Sequence, residues 1–210
     1  MASVVTRRGE IVQDPPLAQK LLSDPRAGWL WLLPRLWLGY QWLQSGLEKF
    51  SNPKWTQTGE ALKSFWLSAV KIPEGGRAPI AFDWYRSFIQ ALLNAQTYTW
   101  FSKLVVAGEI LIGVALLLGA FTGVAAFLGG FMNWNFMMAG SASVNPMFFV
   151  ISVGLILAWK VSGYIGADYL LLSRIGTPWR GVSVSAGQLS PEQKRGATPA
   201  RAGGSAAAGK

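Results

Sequence analysis

The sequence predicts an all-α fold: an integral membrane four-helix bundle with two amphipathic interfacial helices in the long loop between the first two spans. Four apolar runs, about 29–47, 101–119, 122–140 and 146–165, carry the prediction. Each approximates the 20 or so residues, about 30 Å of helix, that cross a hydrocarbon core. The chain is 51% hydrophobic with 11 Trp, and Trp29, Trp31, Trp100, Trp134, Trp159 and Trp179 cluster near run ends as interfacial anchors do. Its 19 Lys and Arg exceed its 10 Asp and Glu, giving a net charge of +9, but they flank the apolar runs instead of forming one stripe. That distribution suits membrane topology and anionic lipid headgroups, and it argues against nucleic acid as a partner.

Residues 1–28 read as a cytoplasmic N-terminal arm, with Pro15, Pro16 and Pro25 among Arg7, Arg8, Lys20 and Arg26. Gly9–Pro25 offers no apolar core and no small-residue cleavage site for a signal peptide, so the arm is expected to stay uncleaved. The membrane domain is expected over 29–179. In its first span Arg35, Gly39, Trp42, Gly46 and Lys49 share one stripe, by spacings of four, three, four and three. In the outer loop, 48–100, Leu62, Phe65, Trp66, Ala69 and Val70 recur at helical spacing, and so do Tyr85, Phe88, Ile89 and Leu92. With Lys63, Lys71, Arg86, Gln90 and Asn94 on other faces, both stretches read as amphipathic helices, separated by the breaker Pro73–Pro79.

Gly119–Thr122 and Ser141–Asn145 are short, uncharged links, so the last three spans form an antiparallel meander. Thr122 and Asn145-Pro146 are the expected caps of the third and fourth spans. The Gly-, Ala-, Ser- and Pro-rich stretch 180–210 reads as a disordered basic tail. An even number of spans puts both termini on one side, and the basic tail makes that side the cytoplasm of an inner (plasma) membrane.

The chain contains neither Cys nor His. Thiolate redox chemistry, haem-His ligation, most zinc sites and Ser-His or Cys-His dyads are therefore excluded, and no metal or haem is expected. The five Met read as packing. Any redox chemistry needs a bound organic carrier or a partner subunit. Against that background Glu109 stands out, because a charge at mid-span costs about 2.5–3.5 kcal/mol. It lies eight residues into the second span, about 12 Å deep, and Asn133 lies seven residues from the end of the third, about 10 Å deep. Gly113 and Gly129 sit one turn from each, leaving room for close helix approach or a ligand. Two readings stand side by side: an interhelical hydrogen bond, or a polar pocket that binds a quinone carbonyl or carries its proton. At the opposite end Arg35 is placed to form a structural ion pair with Asp168. Glu48-Lys49 reads as a solvated pair from which Lys49 could reach Glu109.

Several motifs together resemble the DoxX family. They are Arg35–Gly39 (RLWLG), Gly46–Lys49 (GLEK), Gly108–Gly113 (GEILIG) with Leu116–Gly119, Asn133–Gly140 (NWNFMMAG) and Gly166–Asp168. The last stands where the family commonly has Gly-Leu-Asp, with Ala167 in place of Leu. The long first loop and the Asn-rich third helix look more like the DoxD branch, the small membrane subunit of thiosulfate:quinone oxidoreductase. The resemblance covers about Trp29–Trp179 and implies a four-helix membrane bundle. It also implies a complex that passes electrons from thiosulfate to membrane quinone, forming tetrathionate.

On that basis Glu109 is the expected proton carrier, and Asn133 and Asn135 hydrogen-bond the quinone ring or orient Glu109. Trp134 and Phe136 would pack around it beside Gly113, with Trp66 and Trp84 covering the outer mouth. The competing class is a non-catalytic anchor or scaffold for a respiratory or photosynthetic complex, in which the residues need only pack against other subunits. A small-solute transporter fits less well, because neither inverted repeats nor a broken mid-span helix is evident.

Overall fold

The computed structural model describes residues 4–5, 11–12, 14–76 and 78–175. The expected disordered tail at 180–210, together with Trp179, lies outside those residues. Apart from a two-residue pairing of Val4–Val5 with Ile11–Val12, the described chain is helical, in agreement with the all-α expectation. In order come α1 (Pro16–Leu22), a 3-10 turn (Pro25–Ala27), α2 (Gly28–Phe50), α3 (Pro53–Thr56), α4 (Glu60–Val70) and α5 (Asp83–Asn94). Then follow α6 (Tyr98–Leu118), α7 (Thr122–Met138), α8 (Asn145–Leu157), α9 (Trp159–Ser162) and α10 (Asp168–Ile175).

Among the described residues α6 is the one helix long and apolar enough to cross a membrane by length and composition. α2 is longer, at 23 residues, but it carries Pro34, Arg35, Glu48 and Lys49 within it. The expected fourth span, 146–165, is two helices: α8 has 13 residues and stops at Ala158, where α9 begins. The arm contributes α1 and the 3-10 turn before α2. The Trp31 indole donates to the carbonyl of Leu21 at 2.8 Å, tying α1 to α2.

Turn chemistry explains where the long helices stop. Gly119 closes α6 with φ +65°, a left-handed residue that Gly adopts without a Cβ penalty. The N–H of Ala120 then returns to the Ala115 carbonyl at 2.8 Å, satisfying an otherwise orphaned acceptor. Thr122 does not cap α7: the cap position is Phe121, at φ +47°. The Pro expected in the first turn of α8 is there, but Asn145 turns back, its amide donating to the Ser141 carbonyl and hydroxyl.

α2 lies along α6, and α7 along α8, with the pairs meeting through α6 and α7. Their core is built from Leu38, Trp42, Ile112, Leu116, Ala125, Ala126, Phe148 and Leu155. The two loop helices fall where the periodicity places them. They bury Leu62, Trp66 and Ala69 from α4, with Tyr85, Ile89 and Leu93 from α5, in a second core over the ends of α6 and α7. Phe88, expected on the packed face, is 49% exposed. The short α3, which no periodicity announced, joins α2 to this cap.

Candidate functional site

The site begins with backbone contact. Gly46 and Gly113 let α2 and α6 approach until their main chains nearly touch. A Cβ on Gly46 would lie 2.9 Å from the Ile110 nitrogen, and one on Gly113 would lie 2.5 Å from the Leu43 nitrogen. Gly113 therefore serves helix contact and does not line a ligand space. Lys49 follows Gly46 by three residues and Glu109 precedes Ile110 by one, so the same approach sets their side chains face to face.

There the Lys49 ammonium donates to both Glu109 oxygens, at 3.0 Å to Oε1 and 2.8 Å to Oε2, and to the Ser45 hydroxyl at 2.7 Å. All three ammonium protons are thereby used. The ammonium also lies 5.4 Å from the centre of the Trp55 ring. Glu109 is 1% exposed and Lys49 21%, so the carboxylate is interior and the ammonium reaches towards the outside. A buried carboxylate of this kind needs a partner, and the sequence had pointed to Lys49 as one within reach.

Lys49 and Glu109 form part of the wall of a cavity of about 260 Å³. Trp42, Trp55, Phe65, Phe136 and Phe148 supply its aromatic surface. Its remaining polar lining is Ser45, Asn133, Ser141 and Asn145. Asn133 is fully buried and neither atom of its amide has a hydrogen-bond partner. The Trp42 indole N–H is likewise buried and unpartnered. A Cβ on Gly129 would lie 3.1 Å from that nitrogen, which places it over α7 one turn from Asn133. The arrangement offers a charge-balanced ion pair, unused donors and an unused acceptor inside an aromatic shell.

The expected site residues divide accordingly. Glu109, Asn133 and Phe136 line one cavity, although no hydrogen bond joins Glu109 to Asn133. Asn135 faces elsewhere: its amide donates to the Phe131 carbonyl at 2.8 Å and its oxygen accepts from the Tyr85 hydroxyl at 3.1 Å. Trp134 stacks on Phe131 and meets Tyr85, outside the cavity. One helical residue rotates a side chain by about 100°, so Asn133 and Phe136, three residues apart, share a face that Trp134 and Asn135 between them do not. Burial pushes the Tyr85 phenol up to about 12. Trp66 packs against Phe101 in the second core and Trp84 is exposed; Trp55 and Phe65 hold the covering positions. The sequence had marked Trp42 only as sharing a stripe with Lys49 and Phe65 only as part of the apolar stripe of α4, and the positions of Trp55 and Phe148 carried no local signal.

At the other end Arg35 and Asp168 are both buried but form no ion pair within bonding distance among the described residues. Arg35 donates to the carbonyls of Ser162 at 3.1 Å and Ile165 at 2.8 Å. Asp168 accepts from the N–H groups of Phe121 and Thr122, capping α7 from a distant segment. Gly119 and Gly166 lie between them, each so close to the guanidinium that a Cβ would collide with it. The two charges meet the backbone of one corner instead of each other. Helix termini there present more unpaired amides and carbonyls than a side-chain pair would satisfy.

Comparison with family models, with curated proteins and with solved structures finds no match.

Proposed function

We propose that the chain is a multi-pass membrane subunit of a quinone-linked redox complex, with the ring of the quinone held in the cavity beside Lys49 and Glu109. The observation that carries this reading is the site itself: an interior carboxylate, neutralised by a single ammonium, on the wall of an aromatic cavity with unspent hydrogen-bonding groups. Ionisable residues in such places mark proton or substrate paths more often than simple packing. At about 260 Å³ the space is near the lower end of ligand pockets, suited to one ring head.

In this reading α2, α6, α7 and α8–α9 cross the bilayer, and both termini are cytoplasmic. Leu33, Leu111, Phe127 and Val150, all well over half exposed, then face lipid. The loop helices lie at the outer surface above the cavity. A quinone bound there supplies two-electron acceptance coupled to protons. The indole N–H of Trp42 and the amide of Asn133 hold ring oxygens, the five aromatic side chains exclude water, and Glu109 with Lys49 holds a proton at the edge. The resemblance to the DoxD branch extends the proposal to thiosulfate as electron source, oxidised by a companion subunit.

The test is purification of the native complex with assay of bound quinone, followed by quinone reduction in Glu109→Gln and Asn133→Ala. Co-purifying quinone and loss of turnover in both variants support the reading. Unchanged turnover and quinone affinity in both remove it. A large complex holding the subunit without quinone assigns the chain to the anchor class instead.

A further inference from the structure

We propose that the cavity selects the hydroxyl-bearing, reduced form of its ring ligand over the carbonyl-bearing, oxidised form, and that Asn133 makes the selection. This rests on the reading of the cavity as a quinone site and specifies which form it favours. The basis is a sorting of the polar groups on the cavity wall into satisfied and unsatisfied.

The Lys49 ammonium spends its three protons on Glu109 and Ser45. Asn145 donates to Ser141. Of the groups on the cavity wall, the buried ones left with no partner at all are the indole N–H of Trp42 and both ends of the Asn133 amide. The amide contributes two donors and an acceptor, and the indole one donor. These side chains are 2% and 0% exposed, so bulk water does not serve them.

A ring with two carbonyl oxygens answers the donors alone. It leaves the Asn133 oxygen buried without a donor, which costs about 1–3 kcal/mol. A ring hydroxyl both accepts and donates: it takes an N–H from Trp42 or Asn133 and gives its own proton to the Asn133 oxygen. Flipping the amide changes nothing, since either orientation presents one acceptor. The two ring forms share their heavy-atom skeleton, so a buried acceptor with no donor of its own is what tells them apart.

The experiment uses the full chain purified in detergent and two probes, 1,4-naphthoquinone and, under anaerobic conditions, 1,4-dihydroxynaphthalene. Calorimetric titration gives an affinity for each, and thermal unfolding is followed without ligand. The diol is expected to bind about tenfold more tightly than the quinone, and that ratio to collapse in Asn133→Leu. Trp42→Phe is expected to weaken both probes together. Without ligand, Asn133→Leu should melt at the native temperature or above, because it removes an unsatisfied buried group.

A diol-to-quinone ratio unchanged by Asn133→Leu overturns the selection and leaves the cavity as a quinone site. If that variant fails to fold, Asn133→Met takes its place, and a diol that binds the native protein no better than the quinone is equally decisive against the selection. Failure of the native protein to bind either probe overturns the quinone reading and this inference together.

Discussion

Lys49 and Glu109 are bound together by what each would cost alone. A carboxylate buried between helices without its ammonium is an uncompensated charge, and losing one partner of such a pair typically costs about 3–5 kcal/mol. Lys49→Met is therefore expected to lower stability by that order, and Lys49→Met with Glu109→Leu to regain most of it. Reversible unfolding in mixed detergent would measure both, and additive losses in the double variant would contradict the pairing. At the opposite corner Asp168 holds the N–H groups of Phe121, at the cap position, and of Thr122, the first residue of α7. Asp168→Ala is expected to cost about 1–2 kcal/mol and Asp168→Asn, which keeps an acceptor, less; equal melting temperatures for all three proteins would discount the cap. Glu109 was legible from its isolation in an apolar run, with Lys49 within reach of it. The partners of Asp168 were not legible, because Asp168 and Phe121 are 47 positions apart.

Helix pairing depends on places where side chains are missing. Gly46→Ala would set a methyl 2.7 Å from the Ile110 side chain and 2.9 Å from its backbone nitrogen, so α2 and α6 must part. The expected cost is about 1–3 kcal/mol, with quinone affinity falling too because Lys49 moves with the helix. Native affinity in a destabilised Gly46→Ala would separate the site from the packing. In the cap, α5 is fastened to α7 by the Tyr85 hydroxyl bond to Asn135. The phenol's pKa is raised from 10.0 to about 12 by burial, so the folded state favours its neutral form. That contribution is whole below pH 10 and is lost as pH rises through 12, amounting to about 2–3 kcal/mol. Alkaline unfolding should show this loss in the native chain and not in Tyr85→Phe. The periodicities of α4 and α5 were readable because each has one apolar stripe. The burial of Tyr85 against Asn135 was not, since it needs α7 alongside.

At the scale of the molecule, apolar side chains cover the outside of the bundle as well as its inside, with Leu33 72%, Leu111 67% and Val150 68% exposed. The absence of native Cys gives a direct test of how this surface meets a membrane. Single cysteines at Lys20→Cys, before α2, and Glu74→Cys, between α4 and α5, should react with a membrane-impermeant thiol reagent from opposite sides. In intact cells Glu74→Cys should be labelled, and Lys20→Cys only after permeabilisation. Labelling of both from one side would refute the proposed crossing. Four apolar runs suggested four uninterrupted spans, yet the last is divided at Ala158 and, among the described residues, α6 alone passes by length and composition. Hydropathy registers apolar content but not where backbone hydrogen bonding breaks.

The sequence by itself determined that the chain is helical, which segments pair an apolar face with a polar one, and that Glu109 is out of place among its neighbours. These properties reside in nearest-neighbour spacing, where a period of 3.6 and the cost of a buried charge act directly. Only the tertiary structure decided that Lys49 neutralises Glu109, that Asn133 enters the cavity while Asn135 leaves it, and that Arg35 and Asp168 each bind backbone. The physical reason is helix rotation and approach. Glycines on α2 and α6 set how closely those helices meet, and a turn of about 100° per residue then chooses which polar groups find partners and which remain unspent.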